Sequence, residues 1–283
     1  IGREKTRGRD PLLFENSLSR EAKIWEPRLD DQLDSIFFGG GTPSMTPPES
    51  MQRALESMGL KSRVLPTTEW TMEANPSSVD RRGLEAYRTL GVNRVSMGVQ
   101  AMRDDLLANL GRVHSRTAAL AALETLFEAG FKNVSVDLLC GVPGQGLADL
   151  DEAIDALAAF PITHLSCYLL TLTKSHKMYP QLPDEDHQLE HLLHLHDRMT
   201  DLGFEHYEIS NFAKPGHRAQ HNLAYWTGKS YLGLGPSAHS FDSTEKKRWK
   251  NVSNLHRYGE QLLTGGNAIE WEEHLTDRQL DLE

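Results

Sequence analysis

What most limits the fold of this chain is a regular alternation of short apolar runs with amphipathic stretches. A helical pattern over residues 18–26 precedes an apolar run at 35–38, and the order then repeats. Helices are expected at 48–58, 80–90, 147–158 and 184–202, with two more between 101 and 130. Strands are expected at 69–73, 94–100, 133–139, 164–169 and 206–209. Units of this length require right-handed crossovers and a parallel sheet, either doubly wound or closing toward a barrel. Polar residues or glycines stand at many strand carboxyl ends: Gly39–Thr42, Glu73, Gln100, Asp137 and Glu208. A barrel gathers all such ends at one mouth, whereas a doubly wound sheet offers one crevice. The expected fold class is therefore α/β, a partial (β/α) barrel. From 210 to 249 glycine, aromatic and polar residues replace the alternation, which predicts a loop-rich or antiparallel C-terminal extension. The expected domains are 1–209 and 210–283.

Composition narrows the class further. The chain has 283 residues, 39% hydrophobic and 25% charged, ordinary for a globular protein with a proper core. No apolar run approaches the roughly 18–20 residues of a membrane span, and residues 1–9 carry no signal-peptide pattern. A net charge of −10 argues against nonspecific nucleic-acid binding. Two cysteines, Cys140 and Cys167, make no disulfide framework and read as small reduced core residues, which predicts a cytoplasmic protein. Both ends are expected to be cut, because the last residues, 280–283, read as the middle of a helix begun near Thr276.

The stretch Phe37-Phe38-Gly39-Gly40-Gly41-Thr42-Pro43 is the sharpest local signal. Consecutive glycines lack β-carbons, so a ligand can lie against the backbone N–H groups. No Lys-Ser or Lys-Thr follows to complete a phosphate loop. Alone, the stretch is equally a tight turn, and each polar strand end alone reads more simply as a helix cap or an ion-pair partner.

Taken together, the motifs carry a resemblance. Phe37–Ser44, Glu73-Ala74-Asn75-Pro76, Ser96-Met97-Gly98-Val99-Gln100, Leu110-Gly111-Arg112-Val113-His114 and Val136–Gly144 stand in the order found in one group of radical S-adenosylmethionine (SAM) proteins. That group holds the oxygen-independent coproporphyrinogen III oxidases and the HemW-type heme chaperones. His221-Asn222-Leu223-Ala224-Tyr225-Trp226 resembles the chaperone branch, where the signature is associated with heme.

The resemblance implies SAM in the barrel mouth, contacted by Gly40, Gly41 and Thr42 at its methionine end, with Glu73, Gln100, Arg112 and Asp137 completing the pocket. These residue types suit that ligand: a carboxylate for the cationic amine or sulfonium, amide and carboxylate for ribose hydroxyls, a guanidinium for a carboxylate. It also implies a [4Fe-4S] cluster on a Cys-x3-Cys-x2-Cys loop ahead of the glycines. No such loop stands between Ile1 and Asp34, so the cluster segment is expected to be absent from this chain. Heme would bind through His221, Asn222, Tyr225 and Trp226, with His221 on the iron. Acceptor hemoproteins, including respiratory ones, would be the partners, and peripheral membrane association stays open. The alternative activity is oxidative decarboxylation of coproporphyrinogen III. His187, His191 and His194, at helical spacings of four and three and with His196 nearby, could make a metal site, though a solvated helix face is the simpler reading. Lys246-Lys247-Arg248 is a solvated loop or a partner for heme propionates.

Overall fold

The computed structural model describes residues 10–276. Its helices are α1 (Pro11–Trp25), α2 (Pro48–Ser57), α3 (Arg81–Leu90), α4 (Asp104–Asn109), α5 (Arg116–Glu128), α6 (Leu147–Ala158), α7 (Glu185–Asp201), α8 (Gln220–Trp226) and α9 (Leu255–Leu263). The strands are β1 (Leu33–Phe38), β2 (Val64–Ala74), β3 (Arg94–Gln100), β4 (Asn133–Cys140), β5 (His164–Leu169), β6 (Glu205–Glu208), β7 (Asn211–Ala213), β8 (His239–Asp242), β9 (Lys247–Asn251) and β10 (Ile269–His274). Helix starts follow side-chain chemistry. Asp10, Asp80, Ser115, Asp184 and Asn254 each accept a hydrogen bond from a backbone N–H of the first turn, satisfying a donor the helix leaves open.

The first sheet has seven strands in the order β1-β2-β3-β4-β5-β7-β6. Strands β2 to β5 pair in parallel, while β7 runs antiparallel to both β5 and β6. The loop-rich or antiparallel stretch expected from residue 210 therefore begins with a strand, β7, that still belongs to this sheet. A second sheet, β10-β9-β8, is antiparallel and supplies the expected extension. The helix expected at the extreme C-terminus lies outside the described residues beyond its first position, Thr276.

The parallel strands alternate strictly. Met72, Val95, Met97, Val99, Val134, Val136, Leu138, Leu165 and Cys167 are at most 2% exposed and form the helix-facing layer of the sheet. The residues between them form the inner layer and are polar: Thr71, Glu73, Arg94, Ser96, Ser135, Asp137, His164 and Ser166. A sheet covered by helices on both faces would be apolar on both.

The residues group into two compact units. One consists of Phe37–Thr46 and Glu69–Ala219; the other of the described residues up to Ile36, Pro47–Thr68 and Gln220 onward. The second unit is centred on α1. Glu21, 1% exposed, accepts from Gly235 N (2.8 Å), Asn251 Nδ2 (2.6 Å) and Tyr258 Oη (2.5 Å). Trp25 stacks on Trp249 at 5.0 Å.

Candidate functional site

In the first unit, the carboxyl ends of β1 to β4 bring together the residues singled out in the sequence. After β1 the chain turns through Gly40 and Gly41 with φ of 76° and 58°, a left-handed conformation that costs little only without a side chain. A β-carbon on either would meet nothing within 4 Å, so the outside of this turn is an open cradle. Gly40 N donates to Glu73 Oε2 at 3.0 Å, tying the cradle to β2. Thr42 is half-buried and closes the turn, its carbonyl accepting from Met45 N at 3.0 Å.

Register carries the polar inner layer sideways. Glu73 lies opposite Ser96, Gly98 opposite Asp137, Asp137 opposite Ser166, Ser166 opposite Asn211, and Asn211 opposite Glu208. Side chains paired in this way share a face. Ser96 Oγ donates to Asp137 Oδ1 at 2.9 Å, and Ser166 is a second hydrogen-bond partner of Asp137. At the end of β3 the register slips between Gly98 and Gln100, and Gln100 takes φ 72°, a conformation that strains a residue with a side chain. Its amide nitrogen sits 2.9 Å from where a β-carbon on Gly98 would stand, so a side chain at position 98 would push the Gln100 amide aside.

The charges on this face are held out of water. Burial raises the pKa of Glu73 against the lowering effect of the Gly40 N–H, and the charge of Asp137 pushes the same way as burial. Burial also raises Asp137, opposed by Ser96, Ser166, Arg94 and Arg112. Arg112 is pulled down by burial and held up by Asp137. It is half-buried and closes no ion pair among the described residues. Two further acceptors, Glu208 Oε1 and Asn211 Oδ1, are enclosed without a hydrogen bond. The arrangement presents acidic and acceptor atoms with the guanidinium of Arg112 beside them, which suits a zwitterion carrying donors.

Reading by motif gave Ser96 no role of its own and missed Arg94, Ser135, His164, Ser166 and Tyr207. Below Asp137, Ser135 Oγ meets His164 Nδ1 at 2.8 Å, and Tyr207 Oη meets His164 Nε2 at 2.8 Å. The signal was available in His164-Leu165-Ser166-Cys167, where polar and apolar residues alternate as on a strand with one polar face.

The second unit carries the other candidate residues. On α8, His221 has both ring nitrogens engaged: Nδ1 with Ser35 Oγ at 3.1 Å and Nε2 with Tyr225 Oη at 3.0 Å. Tyr225 packs edge-on against His221 and against Tyr231, at 5.0 and 4.6 Å between centroids. Tyr225 and Trp226 are 48% and 50% exposed, an unusual outlay of aromatic surface for a seven-residue helix, and Asn222 is half-buried beside them. The basic cluster is already committed: Lys247 pairs with Glu272 at 2.7 Å and Arg248 with Glu273 at 2.6 Å across β9 and β10.

Comparison with known proteins fits this geometry. The family model described as Radical SAM superfamily matches residues 6–157. The chain belongs to the radical SAM superfamily. Among curated relatives, it is 36% identical over 246 residues to the heme chaperone HemW of Synechocystis, covering 84% of this chain and 60% of the relative. It is 35% identical over 242 residues to the HemW of Bacillus subtilis, covering 80% and 62%. It is 38% identical over 218 residues to the mitochondrial radical S-adenosyl methionine domain-containing protein 1 of Mus musculus, covering 74% of this chain and 49% of that relative. The chain thus spans about three-fifths of the length of the bacterial relatives. Among solved structures, coproporphyrinogen III oxidase (HemN) of Escherichia coli matches with a TM-score of 0.82 at 21% identity, covering 96% of this chain and 67% of that one. That likeness fixes the fold as a radical SAM half-barrel.

Membership of the superfamily implies SAM and a [4Fe-4S] cluster. The residues of the strand mouth fit SAM; the cysteines do not fit the cluster. Cys140 and Cys167 are buried in the helix-facing layer of β4 and β5. Hydrogen bonding with Cys140, and then burial, pushes the Cys167 thiol well above its ordinary range, away from the thiolate a cluster requires. Two enclosed thiols cannot replace a set of three.

Proposed function

We propose that this chain is the core of a heme chaperone, binding heme at α8 for delivery to acceptor hemoproteins and holding SAM at the mouth of its half-barrel. The observation that carries the reading is α8 itself: a histidine and two half-exposed aromatic rings on one short helix, in a chain similar to proteins named heme chaperones. A porphyrin presents a broad apolar face, which Tyr225 and Trp226 can cover, and an iron that takes a neutral imidazole.

His221 would take the iron through Nε2, since Nδ1 is held by Ser35. The cost is the hydrogen bond to Tyr225. In the mouth, Gly40, Gly41 and Thr42 would receive the amino-acid end of SAM, with Glu73 opposite its positive charge. Gln100 and Asp137 would take the ribose, and Arg112 the carboxylate. When a reductant-fed cluster is present, SAM supplies radical chemistry in this superfamily; the residues here bind and orient it.

Hemin titration followed at the Soret band tests the reading. The wild-type chain is expected to shift the band in a saturable manner, and His221→Ala to lose that shift with at least tenfold weaker binding. Identical spectra and affinities in the two proteins would remove His221 as the ligand.

A further inference from the structure

We propose that His196 and His206 form a binding site for a borderline transition-metal dication of the Zn2+ type. Of the four histidines along α7, two are paired with carboxylates and a third is buried. His187 Nδ1 pairs with Asp184 at 2.6 Å, His194 Nε2 pairs with Asp151 at 2.9 Å, and His191 is buried in the core at 5% exposure. His196 instead turns to β6, where its Nδ1 stands 3.1 Å from Nδ1 of His206.

Two imidazole nitrogens bound to one tetrahedral zinc at about 2.0–2.1 Å lie about 3.3 Å apart, with ring centroids roughly 5 Å apart. The observed separations are 3.1 Å between nitrogens and 5.1 Å between centroids, so a dication fits with a shift of a few tenths of an ångström. Both rings are braced. His206 stacks on Phe212 at 4.3 Å with 12° between planes, and His196 packs against the same ring at 6.2 Å. The tautomer is also set on one side: His206 Nε2 donates to the Ile209 carbonyl at 3.2 Å, which leaves its Nδ1 as a lone pair. A ligating histidine whose other nitrogen is held by a carbonyl is the usual arrangement at metal sites.

In the metal-free chain, His196 Nδ1–H must donate to that lone pair. Binding requires only that His196 carry its proton on Nε2 instead. No bond to carbon changes and no electron moves. His206 is exposed and His196 half-buried, so the ion has an entry path. Among the described residues no group of three or more His, Cys, Asp or Glu side chains is placed to hold a metal. Solvent or an added anionic ligand would fill the remaining positions. A bound ion would brace α7 against the edge strand of the sheet.

The test is titration of tag-free full-length chain with Zn2+ by calorimetry, with competition against a chromogenic chelator. One ion per chain is expected. His196→Ala and His206→Ala are each expected to weaken binding at least tenfold, while His187→Ala, which removes the exposed His–Asp pair, leaves it unchanged. Zn2+ should raise the melting temperature of wild type and His187→Ala but of neither other variant. His196→Gln, on the half-buried flank of a helix, repeats the test should His206→Ala fail to fold. Absence of binding by wild type, or full binding by the His196 variants, would overturn the proposal.

Discussion

At the scale of single residues, Gly41 and Glu73 separate shape from charge. Gly41→Ala forces a side chain into left-handed backbone at φ 58°, a cost of about 1 kcal/mol, and places a methyl in the open cradle. A small fall in melting temperature is expected, with roughly tenfold weaker SAM binding by calorimetry, the loss of about 1.4 kcal/mol. Glu73 behaves oppositely. Its folded pKa is raised, chiefly by burial, so its charged form is worse off folded than unfolded. That penalty is absent below the ordinary glutamate value, grows as pH rises through the folded value, and is complete above it. Glu73→Gln keeps an acceptor for Gly40 N and removes the charge. Its denaturant midpoint should exceed wild type at about pH 8 and converge with it near pH 4. Tyr225→Phe removes the hydroxyl bonded to His221 Nε2, a bond worth about 1 kcal/mol net. Hemin affinity is expected to rise a few-fold in the Soret titration; a fall would show that the phenol itself contacts the iron or porphyrin.

Among elements, α1 and α9 show how much rests on one buried carboxylate. Glu21→Ala leaves the donors of Gly235, Asn251 and Tyr258 enclosed without a partner and should cost about 3 kcal/mol or more in chemical denaturation. Burial raises Glu21 despite those donors. Glu21→Gln, which keeps the shape, should cost less. The elements also show what a linear chain discloses. Strands β3, β4 and β5 were legible because each alternates over six to eight residues between helices. Strand β7 was not, because three residues carry no period and its partners lie 40 or more positions away in β5. The glycine turn, Glu73, Gln100, Arg112 and Asp137 were legible as motif members. Ser166 and Asn211 were not: serine and asparagine are common, and only register sets Ser166 beside Asp137 and Asn211 beside Ser166. The His196–His206 pair was hidden likewise, since spacing along α7 suggests partners on the same helix while the partner stands on a strand.

Across the whole molecule, pH acts in two opposed ways. Burial holds His114, His164 and His191 below the ordinary histidine value, with Arg94 adding to the effect at His164. Their neutral forms belong to the folded state. The stability they contribute is whole above about pH 6.5 and declines as pH falls toward their folded values. The raised carboxyls Glu21, Glu73 and Asp137 give stability back on acidification, but only nearer their own range. Melting temperature is therefore expected to fall between about pH 7 and pH 5.5, and His191→Gln, which removes one buried imidazole with an unpartnered Nδ1, should flatten that slope. A carrier is subject to one more demand, that it surrender what it holds. The two hydroxyls on His221 act as an occupant already in place. On the proposed reading, heme iron at Nε2 would evict the Tyr225 hydroxyl, and release would let it return. If α8 carries heme as proposed, part of the work of release would be stored in the empty protein, and hand-off would need no separate motor.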